Sequence, residues 1–203
     1  MTEPLDNSQT DLFTVPNAWS GGHYEIAVEL GVRSDDRAAV ALGRLWSYPA
    51  LQGCYLTKDT ELTTQQPVSP HGHLEDYLYG IATLPNGQRV PCGSSLCRFE
   101  NESDWMLFYL PLASLEKIYP VGGYPFAEDN NKVEWRSELD DWLTRIARHV
   151  FQTSLFQLAL VGFEVEIADI SSERICATGI PKERSEGFLW RIDSQLRYYP
   201  ATR

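Results

Sequence analysis

No run of apolar residues in this chain approaches the roughly 18 that a membrane-spanning helix requires. The longest, residues 155–163, is interrupted by Gln157 and Gly162. A secretory leader is also missing. The opening MTEPLDNSQTDLF carries acids where a leader is basic, and no apolar stretch follows. Both absences make the cytoplasm the expected location. The sequon Asn101-Glu102-Ser103 is then a chance match, since glycosylation needs secretion.

Positive charge is scarce. The 17 Lys and Arg face 28 Asp and Glu, a net charge of -11. That balance repels phosphate backbones and anionic lipid, so neither a nucleic acid nor a membrane is an expected partner. The deficit is uneven: residues 174–203 hold six basic and three acidic side chains, which leaves the rest of the chain at net -14. An acidic body keeps a protein soluble, and it also suits a basic partner.

Nucleotide and hydrolase signatures are lacking. Gly21 and Gly22 precede a strand, whereas phosphate loops follow a strand and open a helix. Neither G-x-x-x-x-G-K-S/T nor the G-x-S-x-G nucleophile elbow occurs. Histidine is limited to His23, His71, His73 and His149, and cysteine to Cys54, Cys92, Cys97 and Cys176. In a cytoplasmic chain these cysteines are expected as reduced thiols. Cys54 and Cys176 stand among apolar neighbours and read as core.

PCGSSLCRF, residues 91–99, is the nearest approach to a chemical signature. Cys92 and Cys97 with His71 and His73 would supply four zinc-type ligands. Yet positions five apart on a strand point to opposite faces unless Gly93, Ser94 and Ser95 turn the chain. The preferred reading is two small strand residues with a bulge at Gly93. Neither metal nor cofactor is expected.

What is present is clear periodicity. In HYEIAVELG, Tyr24, Ile26, Val28 and Leu30 alternate with Glu25 and Glu29, a strand apolar on one face and solvated on the other. Ser34 caps a helix whose stripe is Ala38, Ala41, Leu42, Leu45 and Trp46. A strand over 51–56 completes what resembles a β-α-β unit. Residues 77–110 read as a three-strand meander, with Asn86-Gly87 at its first hairpin and 100–103 at its second. Leu112 to Ile118 suggests a short helix after Pro111. Ser137 is expected to cap a longer helix with Leu139, Trp142, Leu143, Ile146, Val150 and Phe151 on one side. His149 in its last turn suits the negative helix end. A strand over 155–167 follows, placing Glu164 and Glu166 on one face. One or two terminal strands close the chain. The expectation is an α+β fold, a mixed and largely antiparallel sheet with two main helices packed on it. Residues 1–18 are expected as a loose arm and 19–203 as a single domain.

Two functions are compatible with these features. The first is a non-catalytic binding protein, an inhibitor, immunity-type protein or regulatory adaptor that contacts a basic protein. Long loops outside regular structure tend to carry function. The candidate contact residues are therefore Tyr119, Tyr124, Phe126, Glu128 and Asp129 in the 119–134 loop, with Glu100, Glu102 and Asp104 at the turn before it. The second is a hydrolase-like enzyme whose site the fold assembles from dispersed carboxylates and histidines, with or without a metal. Oligomeric state has no sequence signal.

Overall fold

The computed structural model describes residues 11–99, 102–121 and 135–202. In chain order the elements are helix α1 (Asp11–Thr14), strand β1 (His23–Val32), helix α2 (Asp35–Trp46), and strands β2 (Leu51–Tyr55), β3 (Leu78–Thr83), β4 (Arg89–Cys97) and β5 (Ser103–Pro111). Helices α3 (Leu112–Leu115) and α4 (Arg136–Phe151), strand β6 (Leu158–Phe163), helix α5 (Ser172–Thr178) and strands β7 (Gly187–Ile192) and β8 (Gln195–Tyr199) follow. The strands form one eight-stranded sheet in the order β2-β3-β4-β5-β1-β6-β7-β8. Every pairing in it is antiparallel. The fold is α+β. Among the described residues no helix is long and apolar enough to cross a membrane.

Two helical crossovers organise the sheet. α2 carries the chain from central β1 to the edge strand β2, and α4 carries it from β5 over β1 to β6. The β1-α2-β2 unit resembles a β-α-β unit in direction, but β3, β4 and β5 stand between its strands.

Both helices pack on the same face. Tyr24, Ile26 and Val28 of β1, Met106, Phe108 and Leu110 of β5, and Leu42, Leu45, Leu139, Leu143 and Ile146 of the helices form one buried cluster. Helix α2 starts as its sequence dictates, with Ser34 Oγ accepting from Arg37 N at 3.3 Å and Asp35 and Asp36 in the first turn. α4 begins one residue before Ser137, with Trp135 at the cap and no side-chain capping bond, so Ser137 lies inside the first turn. Polar bonds also tie α4 to the sheet. Tyr24 and Tyr198 donate hydroxyl protons to the two oxygens of buried Asp140, and Arg136 Nε donates to Tyr24 Oη at 3.2 Å.

The opposite face carries a smaller cluster. Ala27, Trp105, Leu158, Leu160 and Phe188 pack beneath Val165 and Ile175. Several expectations change here. β6 ends at Phe163, and Glu164 adopts a left-handed φ of 40°, so Glu164 and Glu166 do not share a strand face. Cys176 is exposed rather than core, because α5 buries only Ile175. β4 is continuous through Gly93 without a bulge. The missing side chain makes room for Tyr109, whose ring a Cβ at Gly93 would overlap. Within the stretch expected as a loose arm, Phe13 is 1% exposed and meets Trp19 and Tyr55 edge to face.

Ile146 lies at the helix–sheet contact and is 1% exposed. Ile146→Ala is expected to cost about 2 to 5 kcal/mol in urea melts with an unchanged slope. A loss within error would remove this contact from the core.

Candidate functional site

The antiparallel pairing of β1 with β5 slips between Glu29 and Gly31, so Leu30 is the extra residue of a bulge. Gly31 supplies the left-handed φ of 81° that the bulge requires. Val32, at the strand end and still paired with Ser103, is 79% exposed. Next to this end lies a cleft of about 1180 Å³. Glu29, Val32 and Arg33 form one side, Arg98, Phe99, Glu102, Ser103 and Trp105 another, and Ile167 to Glu173 the third. Trp105 is buried at 3% exposure, while Phe99 is 39% exposed.

Arg98 is the charge centre beside the cleft, with a side chain only 5% exposed. Its Nη1 donates to Asp35 Oδ1 at 2.8 Å and Glu75 Oε1 at 3.1 Å. Its Nη2 lies 3.5 Å from Asp104 Oδ2. Asp104 is 1% exposed and accepts from Ser34 N at 3.3 Å. The donors on Arg98 Nε and Nη2 and the acceptor Asp104 Oδ1 make no hydrogen bond. Asp35, Glu75 and Asp104 are the carboxylates around the guanidinium. The charge of Arg98 is therefore met within the fold, while Glu102 and Glu173 are exposed carboxylates on the rim with no ion pair among the described residues.

The third wall is a strap, residues 164–178, that leaves the sheet at Glu164. Glutamates fasten it. Glu25 accepts from Val165 N at 2.8 Å, Glu29 accepts from Ser172 N at 3.1 Å, and Glu164 Oε1 accepts from His23 N at 2.6 Å. Glu25 and Glu29 are 5% and 4% exposed, so the face of β1 read as solvated is covered by the strap. Burial pushes the Glu25 carboxyl from 4.5 up to about 7, against the Val165 N–H and with a contribution from neighbouring Glu164.

The candidates read from sequence are dispersed. Tyr124, Phe126, Glu128, Asp129 and Glu100 lie outside the described residues. Tyr119 is not a loop surface: it is 8% exposed and donates its hydroxyl to Glu138 Oε2 at 3.0 Å. Asp104 is not a solvated turn charge but the buried counter-ion of Arg98. Glu102 is exposed and lines the cleft. Tyr119 reaches Tyr24 through Trp135, at the end of β1 where His23 pairs with Pro111. Glu102 is at the other end, where Val32 pairs with Ser103. A ten-residue strand separates the two by about 30 Å, so they do not share a surface.

Catalytic groupings fare no better. Cys92 packs in the helix-side cluster and Cys97 against the opposite one, so their thiols face apart. His71 packs over Gly43, and His73 Nδ1 bonds Asp76 Oδ2 at 2.8 Å. Among the described residues no three of His, Cys, Asp and Glu gather to hold a metal. Ser47 Oγ lies 3.1 Å from His149 Nε2, yet its proton goes to Arg44 O at 2.8 Å. A hydroxyl whose proton is engaged in this way is not paired with the imidazole as its base.

Arg98, Trp105 and the strap carried no signal of their own in sequence. Comparison with known proteins finds no family model, no curated protein and no solved structure that matches the chain.

Removing one partner of a buried pair strands the other charge. Asp104→Ala is expected to cost about 3 kcal/mol in urea melts, and Arg98→Met with Asp104→Leu to recover most of that loss. A single-mutant cost below about 1 kcal/mol would mean that Asp35 and Glu75 alone satisfy Arg98.

Proposed function

We propose that the protein is a non-catalytic binding module that receives a basic protein partner at the cleft end of its sheet. The observation that carries this reading is a pairing of surface types. Val32 and Phe99 are large apolar side chains left exposed, and they flank the exposed carboxylates of Glu102 and Glu173. Exposed apolar groups are anchors for a partner, and unmatched rim charge steers encounter with a surface of opposite sign. The net charge of -11 extends the same preference over the molecule and disfavours nucleic acid. Four unpaired cysteines suit the reducing cytoplasm. The loop residues Tyr124, Phe126, Glu128 and Asp129 stay in the proposal on their sequence alone, as a separate patch.

The test is affinity capture from the source cell at low and moderate salt, with proteins quantified by mass spectrometry. Glu102→Lys with Glu173→Lys should leave the melt within about 0.5 kcal/mol of the native chain. It should lower capture of a basic partner at least about tenfold, and Val32→Ser should lower it at both salt concentrations. Unchanged capture by both variants would move the contact surface elsewhere.

A further inference from the structure

The strap that walls the cleft is fastened to β1 chiefly through polar side chains. It begins at Glu164, with φ 40°, and is followed by Gly179, with φ 78°. Only Val165 and Ile175 of the strap are fully buried in the apolar cluster beneath it. Ile167 and Ile170 pack half-buried against the same cluster, and the polar anchorage is Glu164 N donating to His23 O at 3.1 Å together with the glutamate–backbone bonds. Segments with few apolar contacts and side-chain fastenings open before the whole fold does.

Glu25 is the most enclosed link in this fastening that also senses a neighbour of its own sign. On β1 the group beside it is His23, with Lys58 acting on that imidazole in turn. From β5 it is faced by Tyr109, directly across the ladder, and from β4 by Cys97. The strap brings Glu164. From β6 it meets Gly162, over which Glu186 packs. The anion nearest Glu25 is thus another carboxylate, and no Lys or Arg pairs with it among these groups.

We propose that the 164–178 strap is a proton-linked gate on the cleft, with Glu25 as its sensing group. The proposal rests on the cleft being the contact surface and names how that surface is regulated. With the strap closed, the Glu25 carboxyl is sealed from water beside Glu164. With the strap lifted, the same carboxyl stands on an open sheet face. The closed form therefore holds a proton that the open form releases. Burial raises the closed-state value from 4.5 to about 7, so the proton's contribution to closure is fully present below 4.5 and lost as pH rises through 7. Closure weakens by up to about tenfold per pH unit across that window and is level above it. The wall that carries Ser172 and Glu173 is thereby held more firmly in acid than near neutrality.

The experiment is amide hydrogen exchange by NMR on the chain alone, from pH 5 to pH 8.5, with rates normalised to intrinsic exchange. The probes are the Val165 and Ser172 amides, which the glutamates bind. Phe108 in β5 is the reference for global unfolding. The gate predicts that Val165 and Ser172 are less protected than Phe108. Their protection should fall by up to about tenfold per pH unit to pH 7 and then level. Glu25→Gln should abolish that slope. Glu164→Gln, run beside it so that the test survives a misfolded Glu25→Gln, should move the fall to lower pH. The proposal is overturned by strap protection equal to that of Phe108, by a flat profile in the native chain, or by a slope that persists in Glu25→Gln. Since no partner is present, the gate can fail while capture at the cleft stands, and the reverse.

Discussion

The whole architecture depends on β1 being covered on both faces. It is the first strand of the described residues and sits between β5 and β6, so Tyr24 to Val28 are paired on both edges. Its even positions take the helices. Its odd positions include two glutamates, and a carboxylate enclosed without partners is costly. Each therefore binds a backbone N–H of the strap, which carries unpaired donors of its own as it leaves the sheet. The two needs answer each other, and the position of the strap follows. So does the cleft, because the strap is one of its walls.

The two ends of β1 differ in character. At the His23 end the helix α4 closes over Tyr24, and the Tyr24–Asp140–Tyr198 bonds with Arg136 leave that end packed. At the Val32 end β1 carries the bulge at Leu30, and Arg98 gathers Asp35, Glu75 and Asp104 beside an opening. The sheet thus has one end covered by α4 and one that displays apolar and acidic groups together. Binding sites are commonly held this way, on variable ends of a fixed scaffold.

The apolar periodicities of α2, α4 and the even face of β1 were legible because each is a local pattern that burial against one partner requires. The Asn86-Gly87 hairpin was legible for the same reason: Gly87 N donates to Leu84 O at 2.9 Å, with Gly87 in the left-handed region. Glu25 and Glu29 misled because alternation reports which residues are polar, not whether another segment lies over them. The strap that covers them comes some 140 residues later. Asp104 misled likewise. Beside Glu100 and Glu102 it looked like a turn charge, but one step into β5 its side chain turns inward toward Arg98. The cleft residues converge from four separate stretches, and no local spacing encodes that convergence.

The most direct test of the central claim, that the open end of the sheet is the contact surface, is NMR mapping of the native chain. A synthetic peptide alternating lysine and leucine would serve as a cationic, apolar probe. The account predicts amide shifts concentrated at Val32, Arg33, Phe99, Glu102 and the strap near Ser172 and Glu173, fading as salt is added. Shifts spread evenly over the acidic surface, or centred on the α4 side of the sheet, would contradict it.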